Sequence, residues 1–362
     1  MARALALFCL FWLAACKDAT EPEEPAVDPT LLLSRVEIAG DGHSAFPSAT
    51  RLRNGDVLVT WRQGHSHVNP PARIMMARYR HVDGQMKRVE TTMLYDSPQN
   101  EREAGLAELA DGTLVANVFV SRPGYMEWLP YVVVLRSHDG GRTWADTVTI
   151  TGAQLRDASG RPFPWVASRS AVLELEAGQL LMPVYAPVGL DGNRSTHVLR
   201  SEDGGLTWSF GATIARDPGE EFNETSLLWV GGRVIAVFRS GDGYLRQAES
   251  GDDGRTWGRV RKLSIWGVPP HLLHLRAGQV LLARGYRRED MGVRYTLSRD
   301  GGRTWEKRVE GVLDAGSEND DCGYPSSVEL DDGSIFTAYY MTREGRTTVH
   351  GAHFRIDSLR VP

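Results

Sequence analysis

The sequence predicts an all-β chain folded as a six-bladed β-propeller, and three observations carry that prediction. A phrase of short strand, Gly turn and apolar strand recurs six times between about residues 46 and 357. An octapeptide, S-x-D-x-G-x-T-W, recurs four times. Gly, at 38 of 362 residues, and Trp, at 10, are both abundant, as a turn-rich β protein requires.

The six phrases are "FPSATRLRNGDVLVTWR", "EAGLAELADGTLVANVF", "RSAVLELEAGQLLMPVY", "ETSLLWVGGRVIAVFR", "PPHLLHLRAGQVLLARG" and "YPSSVELDDGSIFTAYY". Each joins two apolar or alternating runs through a tight Gly turn, the mark of a β-hairpin. Units two to five add a second hairpin bearing the octapeptide: "SHDGGRTW" from 137, "SEDGGLTW" from 201, "SGDDGRTW" from 250 and "SRDGGRTW" from 298. Four strands per unit and six units give the propeller, expected over 34–362. Within the octapeptide, Asp accepts backbone N–H groups of its own turn, Gly takes φ > 0, and Trp wedges between sheets. Each residue type has a folding task, so the element is a staple rather than a catalyst.

Ahead of the repeats, Arg3 and the apolar run "ALALFCLFWLAA" read as a signal peptide over 1–15, too short for the roughly 20 residues of a membrane span. Its ending, Leu13-Ala14-Ala15-Cys16, resembles the lipobox of bacterial lipoproteins. That resemblance implies lipidation at Cys16, a membrane anchor and a place in the cell envelope. The Pro- and acid-rich stretch over 16–33 reads as a disordered tether. Only Cys322 is left for the folded part, so no intrachain disulfide is expected in what is expected to be a monomer. A net charge of −5 without a basic run argues against nucleic acid as partner.

Aligning the units on Gly55, Gly112, Gly178, Gly232, Gly278 and Gly333 puts two sets of residues at equivalent places near the axis. Phe46, Glu103, Arg169, Glu224, Pro269 and Tyr324 open the first strands. Arg62, Phe119, Tyr185, Arg239, Gly285 and Tyr340 end the second strands, on the same face. Packing alone would make equivalent positions alike. Carboxylates, guanidiniums and phenols mixed at one funnel instead suit an anionic ligand.

The octapeptide is the Asp box of the sialidase (neuraminidase) superfamily, which the chain resembles over nearly all its expected mature length. "NETSLLWVGGRVIAVFR" resembles the segment carrying that family's Glu and second Arg, here Glu224 and Arg239. "GYPSSVEL" resembles the nucleophile segment, which implies Tyr324 as nucleophile with Glu224 as its base. A phenol avoids the like-charge clash that a carboxylate nucleophile would meet at a sugar bearing its own carboxylate. Three arginines clamp that carboxylate in the family. "GYRREDMGVRYTLS" covers the third, for which Arg288 is favoured over Arg287.

The resemblance breaks in blade one. Ala45 stands where the family has its first Arg, and the loop "QGHSHVNPPA" lacks the acid/base Asp. Arg62 or Arg169 is the candidate replacement guanidinium; His65 or His67, and Glu103, are the candidate acids. His65, His67, His271 and His274 have no carboxylate or Cys at familiar metal spacing, so no metal and no cofactor is expected. The leading expectation is an exo-acting hydrolase of a terminal acidic sugar, by default sialic acid. The alternatives are hydrolysis or elimination on another acidic glycan such as a uronic acid, and a glycan-binding propeller without turnover.

Overall fold

The second apolar run of each phrase is buried on both faces, because every sheet lies between two others. The second strands show it: Val57–Gly64, Leu114–Pro123, Leu180–Pro187, Arg233–Ser240, Val280–Tyr286 and Ile335–Arg343 carry near-continuous buried runs. The computed structural model describes residues 26–123, 128–176, 178–187, 193–306 and 308–357. The expected signal peptide, Cys16 and most of the expected tether lie outside the described residues.

Six four-stranded antiparallel sheets follow in chain order. Blade one is His43–Arg51, Val57–Gly64, Ala72–Val82 and Gln85–Tyr95, joined to blade two by a single parallel bridge between Ala72 and Asn100. Blades two to five run over 100–151, 173–215, 222–266 and 270–315. Blade six combines Gly323–Glu329, Ile335–Arg343 and Arg346–Ile356 with an N-terminal strand, Thr30–Ala39, which pairs with Arg346–Ile356. The ring is thereby latched by both ends of the chain. This strand starts inside the stretch expected as tether, and Val27 ahead of it forms a parallel bridge with Val309. Its outer position leaves Leu31, Leu32 and Leu33 exposed, which hid it from a reading based on burial pattern.

Six hydrophobic clusters lie at the six seams between successive blades; the last joins Ile38, Tyr324 and Phe336 of blade six to Phe46, Val59 and Trp61 of blade one. The octapeptides sit against these seams. Trp144, Trp208, Trp257 and Trp305 each pack on the cluster shared with the preceding blade, a burial worth a few kcal/mol (about 2–3) apiece. In the last copy Asp300 accepts from Ser298 Oγ at 2.8 Å, Thr304 N at 2.8 Å and Thr304 Oγ1 at 2.5 Å. Gly302, at φ 85°, lies so close to Ile235 of blade four that a Cβ would stand 2.7 Å from its Cδ1. The same bonds recur around Asp139, Asp203 and Asp252. Asp300→Ala is expected to cost about 1–2 kcal/mol and to lower Tm by a few degrees in a thermal melt, leaving ligand affinity unchanged. A Tm within half a degree of wild type (roughly the surface-substitution level) would show that the turn is not a staple.

Candidate active site

Four of the six first strands are bulged at the axial end. The register slips between Ala45 and Ser48, Glu101 and Glu103, Phe222 and Thr225, and Gly323 and Ser326. A bulge turns one side chain out of the alternation; the residues left out of register include Phe46, Glu224 and Tyr324, and in blade two Arg102, directly before Glu103. Phe46 and Tyr324 hold positive φ, 56° and 51°, each a cost of about 1–3 kcal/mol kept by the surrounding packing. Blade three reaches the axis differently. Asn117 of blade two donates to Ser168 Oγ at 2.9 Å and Ser170 O at 3.0 Å, fixing the backbone on both sides of Arg169.

At the centre the Tyr324 hydroxyl donates to Glu224 Oε1 at 2.7 Å. Arg239 Nη1 donates to both Glu224 oxygens at 3.3 Å. The Arg169 guanidinium lies 5.0 Å from the Tyr324 ring centroid and Arg287 at 5.8 Å, on a ring that also meets Phe46 and Tyr340. Burial works against the Glu224 carboxylate, but Arg239, the Tyr324 hydroxyl, Arg169 and Arg287 outweigh it and hold its pKa below the ordinary value. Burial, with the charges of Glu224 and Glu103, raises the Tyr324 phenol well above its usual value. The phenol is therefore neutral at rest, hydrogen-bonded to Glu224.

Glu103 faces the same group, 4.0 Å from Arg169, with one buried oxygen, Oε2, unbonded. Burial first, then the charge of Glu224, raises its pKa to about 8. Phe46, Glu103 and Arg169 close one end of a cavity of about 100 Å³ that follows the axis past Ser226, His271 and Ser326. Because folding raises the Glu103 pKa, the folded protein binds the extra proton and stability falls as pH rises from about 4.5 to about 8. Glu103→Gln removes that loss. Relative to wild type, its Tm is expected to be higher at pH 8 and unchanged near pH 4; equal shifts at both pH values would contradict the assignment.

The structure thus gathers Tyr324, Glu224, Glu103, Arg169 and Arg239, and keeps three other sequence candidates away. Arg62 is fully buried and spent between the blade-one loop and the edge of blade two: it donates to Ser66 O and Asn69 O in the loop and to Glu101 O and Asn100 Oδ1 in blade two. It is a strut under the loop over 64–71, not part of a clamp. Arg288 stacks on Tyr244 and Trp266 at the blade four–five seam, and its neighbour Arg287 turns inward to Cys322 O and the Tyr340 hydroxyl. Of the two, Arg287 is the guanidinium that stands beside Tyr324. His65 is exposed beside Asp41, Arg73 and Asp96.

His67 is the blade-one imidazole that faces the site. It lies edge-on to Phe46 at 5.0 Å, its Nδ1 2.7 Å from Asp321 Oδ1, while His43 Nε2 meets Asp321 Oδ2 at 2.7 Å. Burial opposes the Asp321 charge, but both histidines hold its carboxyl well below the usual range. Asp321 and His43 were not foreseen. The loop before blade six thus brings a carboxylate against the blade-one loop that has none of its own. Arg102 completes this rim, its guanidinium 5.6 Å from the Phe46 ring and bonded to His67 O.

Fold and site together define a β-propeller whose axial funnel presents one phenol–carboxylate pair inside three guanidiniums. Residues 46–337 match the BNR repeat-like domain, and the chain belongs to that family. Among solved structures it is similar to a protein of unknown function from Dyadobacter fermentans, 27% identical with a TM-score of 0.79 over 91% of this chain and 99% of that one. It shares its fold with the NanB sialidase of Streptococcus pneumoniae (K499G mutant; 12% identity, TM-score 0.69, 91% and 71% covered). It also shares it with the Penicillium chrysogenum alpha-L-arabinanase complexed with arabinobiose (15%, 0.68, 90% and 99%). No curated protein matches it in sequence.

Proposed function

We propose that this protein is an exo-acting glycoside hydrolase that removes a terminal acidic sugar, sialic acid by default, through Tyr324. The observation that carries this reading is the 2.7 Å bond from the Tyr324 hydroxyl to Glu224 inside the ring of Arg169, Arg239 and Arg287. Three fixed guanidiniums around one point suit a carboxylate attached to the reacting carbon. In the first step Tyr324 Oη bonds to the anomeric carbon, its proton passes to Glu224, and the glycosidic bond breaks with a proton delivered to the leaving oxygen. Glu103, protonated at neutral pH by its raised pKa, is the proton donor in this reading. Water then attacks the anomeric carbon with Glu103 taking its proton, the bond to Tyr324 Oη breaks, and the Tyr324 oxygen takes its proton back from Glu224. The sialidase and arabinanase neighbours support a glycan as substrate class; the residues named carry the rest.

A second reading rests on the His67–Asp321 pair standing where the acid/base Asp is missing. An imidazole separated from a neutral phenol by the Phe46 ring suits proton abstraction and elimination on a uronic acid. One assay separates the two: sugar release from sialyl-lactose and a panel of uronate-bearing glycans, by wild type and Tyr324→Phe. Free sialic acid, lost in the variant, is the expected result. An unsaturated uronate product would move the assignment to elimination, and a folded wild type that binds but cleaves nothing would leave a glycan-binding propeller.

A further inference from the structure

Away from the funnel, at the opposite end of the blades, the seam between blades one and six holds a group with no part in the chemistry above. His81, near the end of Ala72–Val82 in blade one, meets His353 of Arg346–Ile356 in blade six, rings 5.1 Å apart at 76°. Asp332, in the turn after Gly323–Glu329, completes the set, and one ligand atom from each residue lies within 4.8 Å of the other two.

The hydrogen bonds decide which atoms are free. Ser334 Oγ donates its proton to Asp332 Oδ1 at 2.5 Å. The 2.7 Å contact of His353 Nε2 with Ser334 Oγ therefore has the imidazole as donor. This places the lone pair of His353 on Nδ1, which is buried without a partner on a residue 1% exposed. His81 Nε2 is likewise buried and unpartnered. Asp332 accepts from Ser334 N at 3.0 Å and from Arg355 at 2.7 Å, which orients its carboxylate and leaves lone pairs over. Two unbonded imidazole nitrogens beside an oriented carboxylate, one ring fixed by a hydrogen bond through its other nitrogen, is the ligand arrangement of a transition-metal site. The other such cluster, His43, His67 and Asp321, differs on this point: its imidazoles bond the carboxylate directly at 2.7 Å.

We propose that His81, Asp332 and His353 bind one divalent transition ion, of the zinc class, that clasps blade one to blade six at the seam where the ring closes. Two nitrogens and one oxygen suit such an ion, with water in a fourth position on the exposed Asp332 side; calcium or magnesium would call for oxygen ligands. The ligands come from opposite ends of the chain, so only the closed ring assembles them. Binding then adds directly to folding stability.

The test uses the whole purified protein, stripped with a chelator and titrated with Co²⁺, then Zn²⁺. One equivalent of Co²⁺ with visible absorption of tetrahedral type, displaced by Zn²⁺ and accompanied by a rise in Tm of several degrees, is expected. His81→Ala and Asp332→Asn should each weaken Co²⁺ binding more than about tenfold while the metal-free melts stay close to wild type; His67→Ala should leave it unchanged. Absence of a bound equivalent overturns the proposal. So does binding that survives both seam variants, or that is lost only with His67→Ala.

Discussion

Replacing Glu224 by Gln is expected to lower kcat for the cleaved glycan by about 10²–10⁴-fold while leaving KM unchanged or lower. Gln keeps the volume and one carbonyl oxygen, so the Tyr324 hydroxyl retains a partner but loses its base. Among the described residues no other carboxylate bonds that hydroxyl: Glu103 lies by Arg169 and is itself held neutral by burial. At the same time Arg169, Arg239 and Arg287 lose the only anion they share, and the funnel gains a positive charge. An anionic sugar should therefore bind at least as well, and the split between kcat and KM separates loss of a base from general damage. A second readout follows from the coupling of the two carboxyls. The Glu224 charge is one cause of the raised Glu103 pKa, so its removal lets Glu103 ionise sooner and moves the alkaline limb of the pH profile to lower pH. A Glu224→Gln enzyme within about threefold of wild type (under 1 kcal/mol of barrier) would sink Tyr324–Glu224 as the reacting pair.

That pair was legible because a propeller keeps its own register. The turn glycines count the residues back to the axis, and the strand period of two sends equivalent side chains to one face. Glu103, Arg169, Glu224, Arg239 and Tyr324 all follow from this count, and all five meet. The count fails where a strand stops. Val280–Tyr286 ends just before Arg287 and Arg288, so no period says which of two adjacent arginines turns inward, and the structure chooses the first. It fails also across long sequence distance. Asp321 reaches His43 and His67 from the other end of the chain, closing blade six against blade one, and no local pattern announces such a partner. The bulges at four first strands were invisible for a related reason: a bulge adds one residue without altering the apolar run that advertises the strand.

Arg62 shows the limit most sharply, and its replacement yields the second large effect. Arg62→Met is expected to cost about 3–5 kcal/mol of stability, with affinity for an acidic sugar kept in whatever fraction remains folded. Its position on the repeat is that of Arg239, yet the side chains meet different surroundings. Arg239 finds the Glu224 carboxylate, whereas Arg62 finds the loop over 64–71 folded back across it. Among the described residues its guanidinium has no carboxylate within ion-pair distance, and burial first, then the charge of Arg102, lowers its pKa to about 10. What holds it are the carbonyls of Glu101 at 3.0 Å, Ser66 at 2.5 Å and Asn69 at 3.0 Å, with the Asn100 side chain at 3.3 Å. Methionine fills the volume but leaves those acceptors without donors in a site that excludes water. The loop also carries His67, so a lowered kcat with an intact KM would follow if His67 takes part in proton transfer. A residue of the clamp would behave the opposite way, with Tm preserved and affinity for the acidic sugar lost. A thermal melt and one binding isotherm on the same variant therefore distinguish strut from clamp.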